Sequence, residues 1–375
     1  MKITAIETFT VGAGWKNWLF VRLHTDEGLT GLGEGTLNGF IRTTEAAIRE
    51  LEHLVIGEDP RRINALARKM LDSVSLDAGH IHRTAIAAVE VACWDILGKS
   101  LGVPVYQLLG GAVRERIRMY KGVGGDYAEQ AYENAKRWKE QGFTMMKTGI
   151  EAMAHVMETP AWIAKQVERI EAIRDAIGPD CDLGVDFHGR ISPALAIRLA
   201  KELERFQLIF IEEPCLPENV DTLATIARST TTPIATGERL FTKWAFREVL
   251  EKQAAAIVQP DLAHCGGILE GKKIAAMAET YYAGFAPHNP LGPINLAASI
   301  QLSANVPNFL AQEHAVLGEG YLKQPFVVKN GYVELPKGPG LGIEVDEDAI
   351  QELRYEGDWD TPRWFHADDG SVADW

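Results

Sequence analysis

Apolar positions along this chain follow two regimes that change over near Gly110-Gly111. Before that point, two β-like runs, Trp18–His24 and Leu29–Glu34, flank Asp26-Glu27-Gly28, a turn signal between alternating apolar residues, and predict a hairpin. From Arg42 to about Gly102 the spacing becomes helical, as in Ala46, Ala47, Ile48 and Leu51 and again from Ala85 to Leu97. The loop Asp77-Ala78-Gly79-His80 interrupts it. These features predict a small α+β domain over residues 1–117.

Beyond it, short apolar strands alternate with amphipathic helices. Strands are expected at Ile117–Tyr120, Thr144–Thr148, Asp182–His188, Leu208–Glu213, Ile234–Glu238, Ala255–Gln259, Gly284–His288 and Phe309–Glu313. Helical stretches such as Tyr127–Gln141, Ile163–Ala176 and Gly267–Glu279 lie between them. Eight strands with intervening helices predict a parallel (β/α) barrel over residues 118–325 rather than an open sheet. The last segment, residues 326–375, holds strand and turn signals outside that repeat and is expected to return to the first domain.

Composition narrows the possible partners. The chain is 375 residues long, 46% hydrophobic and 24% charged, ordinary globular usage that allows one large domain and a smaller one. A formal charge of −14 with no basic stripe argues against nucleic acid and anionic membranes, so an anionic substrate would need a local cation. Four cysteines, Cys93, Cys181, Cys215 and Cys265, are scattered without a C-x-x-C pair, the usage of a reduced compartment. No stretch of eighteen apolar residues and no signal-peptide core occur, so a cytoplasmic protein is expected.

The strongest chemical signal is a repeat of acids. Asp186, Glu212 and Glu238 stand 26 residues apart, about one β/α unit, and each ends an apolar strand. Equivalent positions on successive barrel strands are neighbours, so the three carboxylates are expected to converge at the C-terminal mouth. Ionised carboxylates so close repel unless a cation lies between them, and an oxygen-only set suits Mg²⁺, with Mn²⁺ as the alternative. Asp261 follows Glu238 by 23 residues, His288 follows by a further 27, and Glu313 by 25 more, which brings them to the same mouth. Asp261 beside His288 is a candidate dyad in which the carboxylate takes Nδ1–H and leaves Nε2 as a base. His188, two residues after Asp186, is expected on the same strand face as a second acid–base group. Lys147, at the end of the second barrel strand, is a candidate for holding a substrate carboxylate or enolate oxygen.

Other features weigh less. Gly31-Leu32-Gly33-Glu34-Gly35 looks like a phosphate loop, but no helix opens after it, and tight hairpin packing is the better reading. His80 and His82 near a helix start read as surface groups, and Cys215 has no base to activate it.

Taken together, Gly184-Val185-Asp186-Phe187-His188-Gly189-Arg190, Phe210-Ile211-Glu212-Glu213-Pro214, Gly237-Glu238-Arg239, Gln259-Pro260-Asp261-Leu262, Ala286-Pro287-His288 and the closing Asp369-Gly370-Ser371-Val372-Ala373-Asp374-Trp375 resemble the enolase superfamily, mandelate racemase subgroup. The resemblance runs the whole length and is greatest to dehydratases of sugar acids such as D-galactonate. It implies a modified (β/α)7β TIM-like barrel with an α+β capping domain formed by both termini. It also implies one Mg²⁺ on Asp186, Glu212 and Glu238, a small sugar-acid substrate and a homo-oligomer. By the same resemblance His288, oriented by Asp261, removes the proton at C2 of an aldonate, with Glu313 and Lys147 near the enediolate, and His188 protonates the departing 3-hydroxyl. Racemizing relatives carry a second lysine where Gly149 stands, and its absence here weakens a racemase reading; epimerisation or cycloisomerisation of a sugar acid or lactone through the same enolate is the alternative outcome. The segment Gly149–Pro160, the loop Gly12–Trp18 and a shortened region after Gly318 depart from the pattern and would cover the substrate.

Overall fold

A computed structural model describes residues 1–14, 16–74, 79–355 and 364–373. Trp15, Asp77 and Ala78 of the loops singled out above, and Asp374-Trp375 of the closing motif, lie outside the described residues.

The chain opens with a three-stranded antiparallel sheet, β1 (Ile3–Ala13), β2 (Lys16–Thr25) and β3 (Thr30–Glu34). The predicted hairpin joins β2 to β3, and Gly28 takes φ +79° in its turn. The long helix Gly79–Leu101, buried continuously from Thr84 to Ile96, packs against this sheet. Contact is so close at Gly33 that a Cβ there would stand 1.9 Å from the Ala88 carbonyl oxygen, which is why the glycine run packs rather than cradles phosphate. Inside the contact, the Asp95 carboxylate accepts from the N–H groups of Leu32 and Leu341 and from Lys99 Nζ, joining sheet, helix and C-terminal segment. A buried carboxylate is tolerated there because donors replace its lost water.

The barrel strands are β5 (Lys121–Gly122), β6 (Met145–Gly149), β7 (Asp182–Asp186), β8 (Phe210–Glu212), β9 (Ile234–Thr236), β10 (Ile257–Val258) and β11 (Gly284–Phe285); each pairs in parallel with its sequence neighbour. The predicted eighth stave, Phe309–Glu313, forms no regular strand. It closes the ring through isolated parallel bridges, Phe309 to Phe285 and Gln312 to Met119. The predicted first stave also shifts: β4 (Arg116–Arg118) pairs antiparallel with β12 (Tyr332–Glu334) outside the barrel, and the barrel strand begins only at Lys121. Arg116 and Arg118 face outward-lying partners, Tyr332 and Asp182, which favours that pairing over burial. Tyr120, Met145, Phe210, Ala235, Ile257, Ala286 and Ala311 fill the interior, large side chains meeting small ones as close packing requires.

One link fixes the first sheet to the barrel and another ties it to the C-terminal segment. Glu34, at the end of β3, accepts from the N–H groups of Gly292 and Asn295 and from Thr36 Oγ1 at 2.7–2.9 Å, so it sits at the N-terminus of the helix Pro293–Asn305. Burial nonetheless pushes its carboxyl up to about 7. C-terminal residues meet the same sheet: Gly12 N–H donates to the Leu353 carbonyl and Arg22 pairs with Glu347. No helix among the described residues is long and apolar enough to cross a membrane.

Candidate active site

Successive strand ends bring the three spaced acids together. Asp186 closes β7 and Glu212 closes β8, in direct register. Glu238 lies two residues past β9, beyond Gly237, whose φ of +153° and approach to Gln259 (2.6 Å from a built Cβ) leave no room for a side chain. Candidate ligand atoms of the three lie within 4.8 Å of one another. Burial, then the neighbouring Asp186 charge, pushes Glu212 up to about 8, the result expected of like charges confined out of water. An oxygen-only donor set so confined fits a hard divalent cation.

Lys147, inside β6, reaches the same centre. Its Nζ is 2.9 Å from Glu212 Oε2, 3.3 Å from Asp186 Oδ2 and 3.0 Å from Glu313 Oε1. Burial opposes its charge, but Glu212 and Glu313 outweigh that and hold its pKa well above the usual lysine value. Glu313, in turn, is pulled down to about 2: burial opposes the shift, and Lys147 and His288 overcome it.

Asp261 and His288 meet as a hydrogen-bonded pair, Oδ2 to Nδ1 at 2.9 Å. Asp261 is also the N-cap of the short helix Leu262–Cys265: its Oδ1 accepts from Ala263 N–H at 2.9 Å and from Asn295 Nδ2 at 3.0 Å. A carboxylate only accepts, so Nδ1 carries the proton and Nε2 presents a lone pair in the neutral ring. That Nε2 stands 3.2 Å from Glu238 Oε2 and 3.8 Å from Glu313 Oε2. Burial disfavours the imidazolium, yet Glu238, Glu313 and Asp261 together raise His288 to about 10.

His188 arrives by a different route from the one its spacing predicts. The strand ends at Asp186, and His188 takes a left-handed φ of +54°, its N–H donating to Asp186 Oδ1 at 2.8 Å. Its Nε2 lies 3.8 Å from Glu238 Oε1. Arg239 Nη2 is 3.0 Å from its Nδ1 and 3.1 Å from its carbonyl oxygen. A guanidinium only donates, so Nδ1 accepts and the ring proton sits on Nε2. Burial lowers the His188 pKa, with Arg190 and Arg239 adding to it against Asp186 and Glu238.

Sequence reasoning assigned no role to Arg239, Glu213 or Asn295. Arg239 Nε is 3.0 Å from the buried Glu213 Oε2, a contact that holds the guanidinium beside His188. Asn295 also donates to Asn289 Oδ1 at 2.8 Å, while Asn289 N–H donates to Glu313 Oε2 at 2.9 Å. Only the adjacency of Arg239 to Glu238 hinted at any of this. One lesser expectation changes and one holds. His82 is buried and His80 half-buried against Phe241 (3.5 Å between ring centroids), because the start of their helix packs on the barrel. Cys215 is buried, which raises its thiol to about 11 and keeps it unreactive.

Comparison with known proteins shows the family. The family described as enolase C-terminal domain-like matches residues 129–349, and the mandelate racemase/muconate lactonizing enzyme N-terminal domain matches residues 5–110. D-galactonate dehydratases of Variovorax paradoxus and Ralstonia pickettii are 43% and 44% identical, with both chains covered completely. A solved mandelate racemase/muconate lactonizing enzyme from Jannaschia sp. superposes with TM-score 0.91 at 35% identity, over 96% of this chain and 99% of that one. An Agrobacterium radiobacter enolase, provisionally named a galactarate dehydratase and holding Na and L-malate in an ordered active site, gives 0.92 at 31% identity over both whole chains.

Proposed function

Because the chain belongs to the mandelate racemase/muconate lactonizing enzyme family of the enolase superfamily, we propose that it is a Mg²⁺-dependent dehydratase of aldonates, D-galactonate or a related sugar acid. The observation that carries the reading is the pair of imidazoles whose Nε2 atoms flank opposite oxygens of Glu238, 3.2 and 3.8 Å away, one held as a base and the other as an acid.

Asp186, Glu212 and Glu238 hold the ion. When bound, Mg²⁺ neutralises their charge and stabilises the negative charge that grows on the substrate carboxylate as its α-proton leaves. Glu238 is the strongest of the influences raising His288, so sharing its charge with a cation returns Nε2 toward the neutral, basic form. His288 Nε2 removes the proton at C2. Lys147 places a fixed cation beside the developing enediolate, and Glu313, anchored by Asn289 N–H, holds Lys147 in place. His188, as the imidazolium, gives its Nε2 proton to the 3-hydroxyl and returns to the neutral ring; the C3–O bond breaks, water departs, and the remaining enol ketonises to a 2-keto-3-deoxy acid. The charged donors favour the transition state because they act on charge absent from the bound acid.

Gly149, in register with Asp186 on β6, presents no side chain where a base for the opposite face of C2 would stand, which disfavours epimerisation. The same reading divides the chain into a cap of residues 1–117 and 326–375 around a barrel of 118–325, working as a homo-oligomer in the cytoplasm, in keeping with four free, buried cysteines.

Incubation with a panel of aldonates and aldarates plus Mg²⁺ tests the proposal. D-galactonate or a stereoisomer is expected to yield a semicarbazide-reactive 2-keto acid, and chelation is expected to abolish it. No turnover across the panel would remove the dehydratase assignment; an epimer without keto acid would replace it with the alternative outcome of the same enolate.

A further inference from the structure

Away from the carboxylate centre, two distant parts of the chain bring two imidazoles and an acid together. His155 lies in the loop between β6 and the helix Pro160–Ile177, and His366 and Asp368 lie in a C-terminal turn. Candidate ligand atoms of the three lie within 4.8 Å of one another. The rings of His155 and His366 stack at 3.8 Å between centroids and 15° between planes, and His155 Nε2 is 3.3 Å from Asp368 Oδ2.

Both holders are braced. Phe365 bridges antiparallel to Val372, His366 N–H donates to the Ser371 carbonyl at 2.9 Å, and Gly370 N–H returns to the His366 carbonyl at 2.9 Å. His366 and Asp368 are therefore displayed two residues apart on a hydrogen-bonded turn. Across from them, His155 N–H donates to Glu158 Oε1 at 2.9 Å, and the Val156 carbonyl accepts from Ser192 N–H at 2.8 Å.

The geometry points to a second metal site, formed by His155, His366 and Asp368, that takes a borderline divalent transition ion such as Zn²⁺. Imidazole nitrogen selects Zn²⁺ and its neighbours over Mg²⁺, so the donor set distinguishes this site from the oxygen-only centre in the barrel. A tetrahedral ion with bonds of about 2.0–2.1 Å needs ligand atoms roughly 3.3 Å apart and lone pairs that converge, so binding turns the two stacked rings out of parallel about their side-chain torsions. Three protein ligands leave a fourth position for water. Occupancy staples the C-terminal turn to the loop that leaves the barrel at Gly149, the residue paired with Asp186. The site thus joins the chain end to one wall of the mouth, and it stands whether or not the sugar-acid reading does.

Zn²⁺ titration of the full chain, chelator-treated and then saturated with Mg²⁺, decides the matter. One equivalent of Zn²⁺ is expected to bind and resist excess Mg²⁺, and its affinity is expected to fall at least about tenfold in His155→Gln and in His366→Gln. Co²⁺ in its place is expected to give visible absorption of an imidazole-ligated ion, lost in the same variants. His155 is about one-third exposed (37%), so its variant is expected to fold even if His366→Gln does not. No Zn²⁺ uptake in excess Mg²⁺, or equal uptake by the wild type and His155→Gln, overturns the site and leaves a stacked pair beside an ordinary ion pair.

Discussion

His288 and His188 stand on opposite sides of one carboxylate, and the partners at their Nδ1 atoms are of opposite kind. Behind His288 is Asp261, a pure acceptor; behind His188 is Arg239, a pure donor. Two identical side chains thereby present opposite faces to the space between them, a lone pair from one and a proton from the other. The difference also runs through their charge states: carboxylates raise His288, whereas burial and two arginines lower His188. Role in this site is set by what lies behind each ring, not by the ring itself.

The largest break in that comparison is expected from Asp261→Asn. Ala263 N–H and Asn295 Nδ2 both donate to Oδ1, so the new amide must keep its oxygen there and turn its NH₂ toward His288. Nδ1 then has to accept, the ring proton moves to Nε2, and the base is lost with little change of shape. Dehydration and solvent exchange of the C2 proton are expected to fall together by roughly 10³- to 10⁴-fold, as when a buried Asp–His pair loses its tautomer control elsewhere. Exchange at the wild-type rate would show that His288 is not the base.

His188→Asn sharpens the comparison from the other side. Loss of a positioned acid is expected to slow dehydration by about 10²- to 10⁴-fold, while C2 exchange in deuterated water, which needs only His288 and the ion, persists. Mass spectrometry of recovered substrate reads the exchange directly. If exchange collapses along with dehydration, the two histidines do not divide the proton work as their partners suggest.

The base side of this comparison was far more legible in sequence than the acid side. Asp186, Glu212, Glu238, Asp261, His288 and Glu313 stand out because each ends a β/α unit, and the unit length converts spacing into adjacency. His188 was found for a reason that does not hold, since the strand stops at Asp186 and a left-handed residue turns the ring inward. Arg239 escaped notice because its reach to His188 and Glu213 depends on the turn at Gly237, which no periodicity records. Asn295 lies on a helix buried on all sides, where an amide among alanines carries no signal of a partner 34 residues upstream. The barrel ends were blurred for a related reason: Phe309–Glu313 has a strand's apolar pattern but only two bridging contacts, and Arg116–Arg118 finds its partner in the distant Tyr332–Glu334.

The smallest and most discriminating effect is expected from Arg239→Met. Methionine keeps much of the apolar stem but neither donates to Nδ1 nor pairs with Glu213, whose carboxyl burial, then Glu238, already push up to about 9. Without the Arg239 N–H that favours a lone pair at Nδ1, a smaller share of the neutral His188 rings keeps its proton on Nε2. A loss of about tenfold in dehydration follows, with C2 exchange unchanged. Because the arginine charge is one of the influences lowering His188, its removal raises the imidazole pKa, and the limb of the dehydration profile belonging to His188 is expected to move to higher pH. Arg239 Nε also lies 3.8 Å from Glu238 Oε1, so the competing account is that the arginine merely steadies an ion ligand. That account predicts weaker Mg²⁺ binding and equal losses of exchange and dehydration, with no movement of the pH limb at saturating Mg²⁺; such a pattern would leave His188 without its counterpart to Asp261.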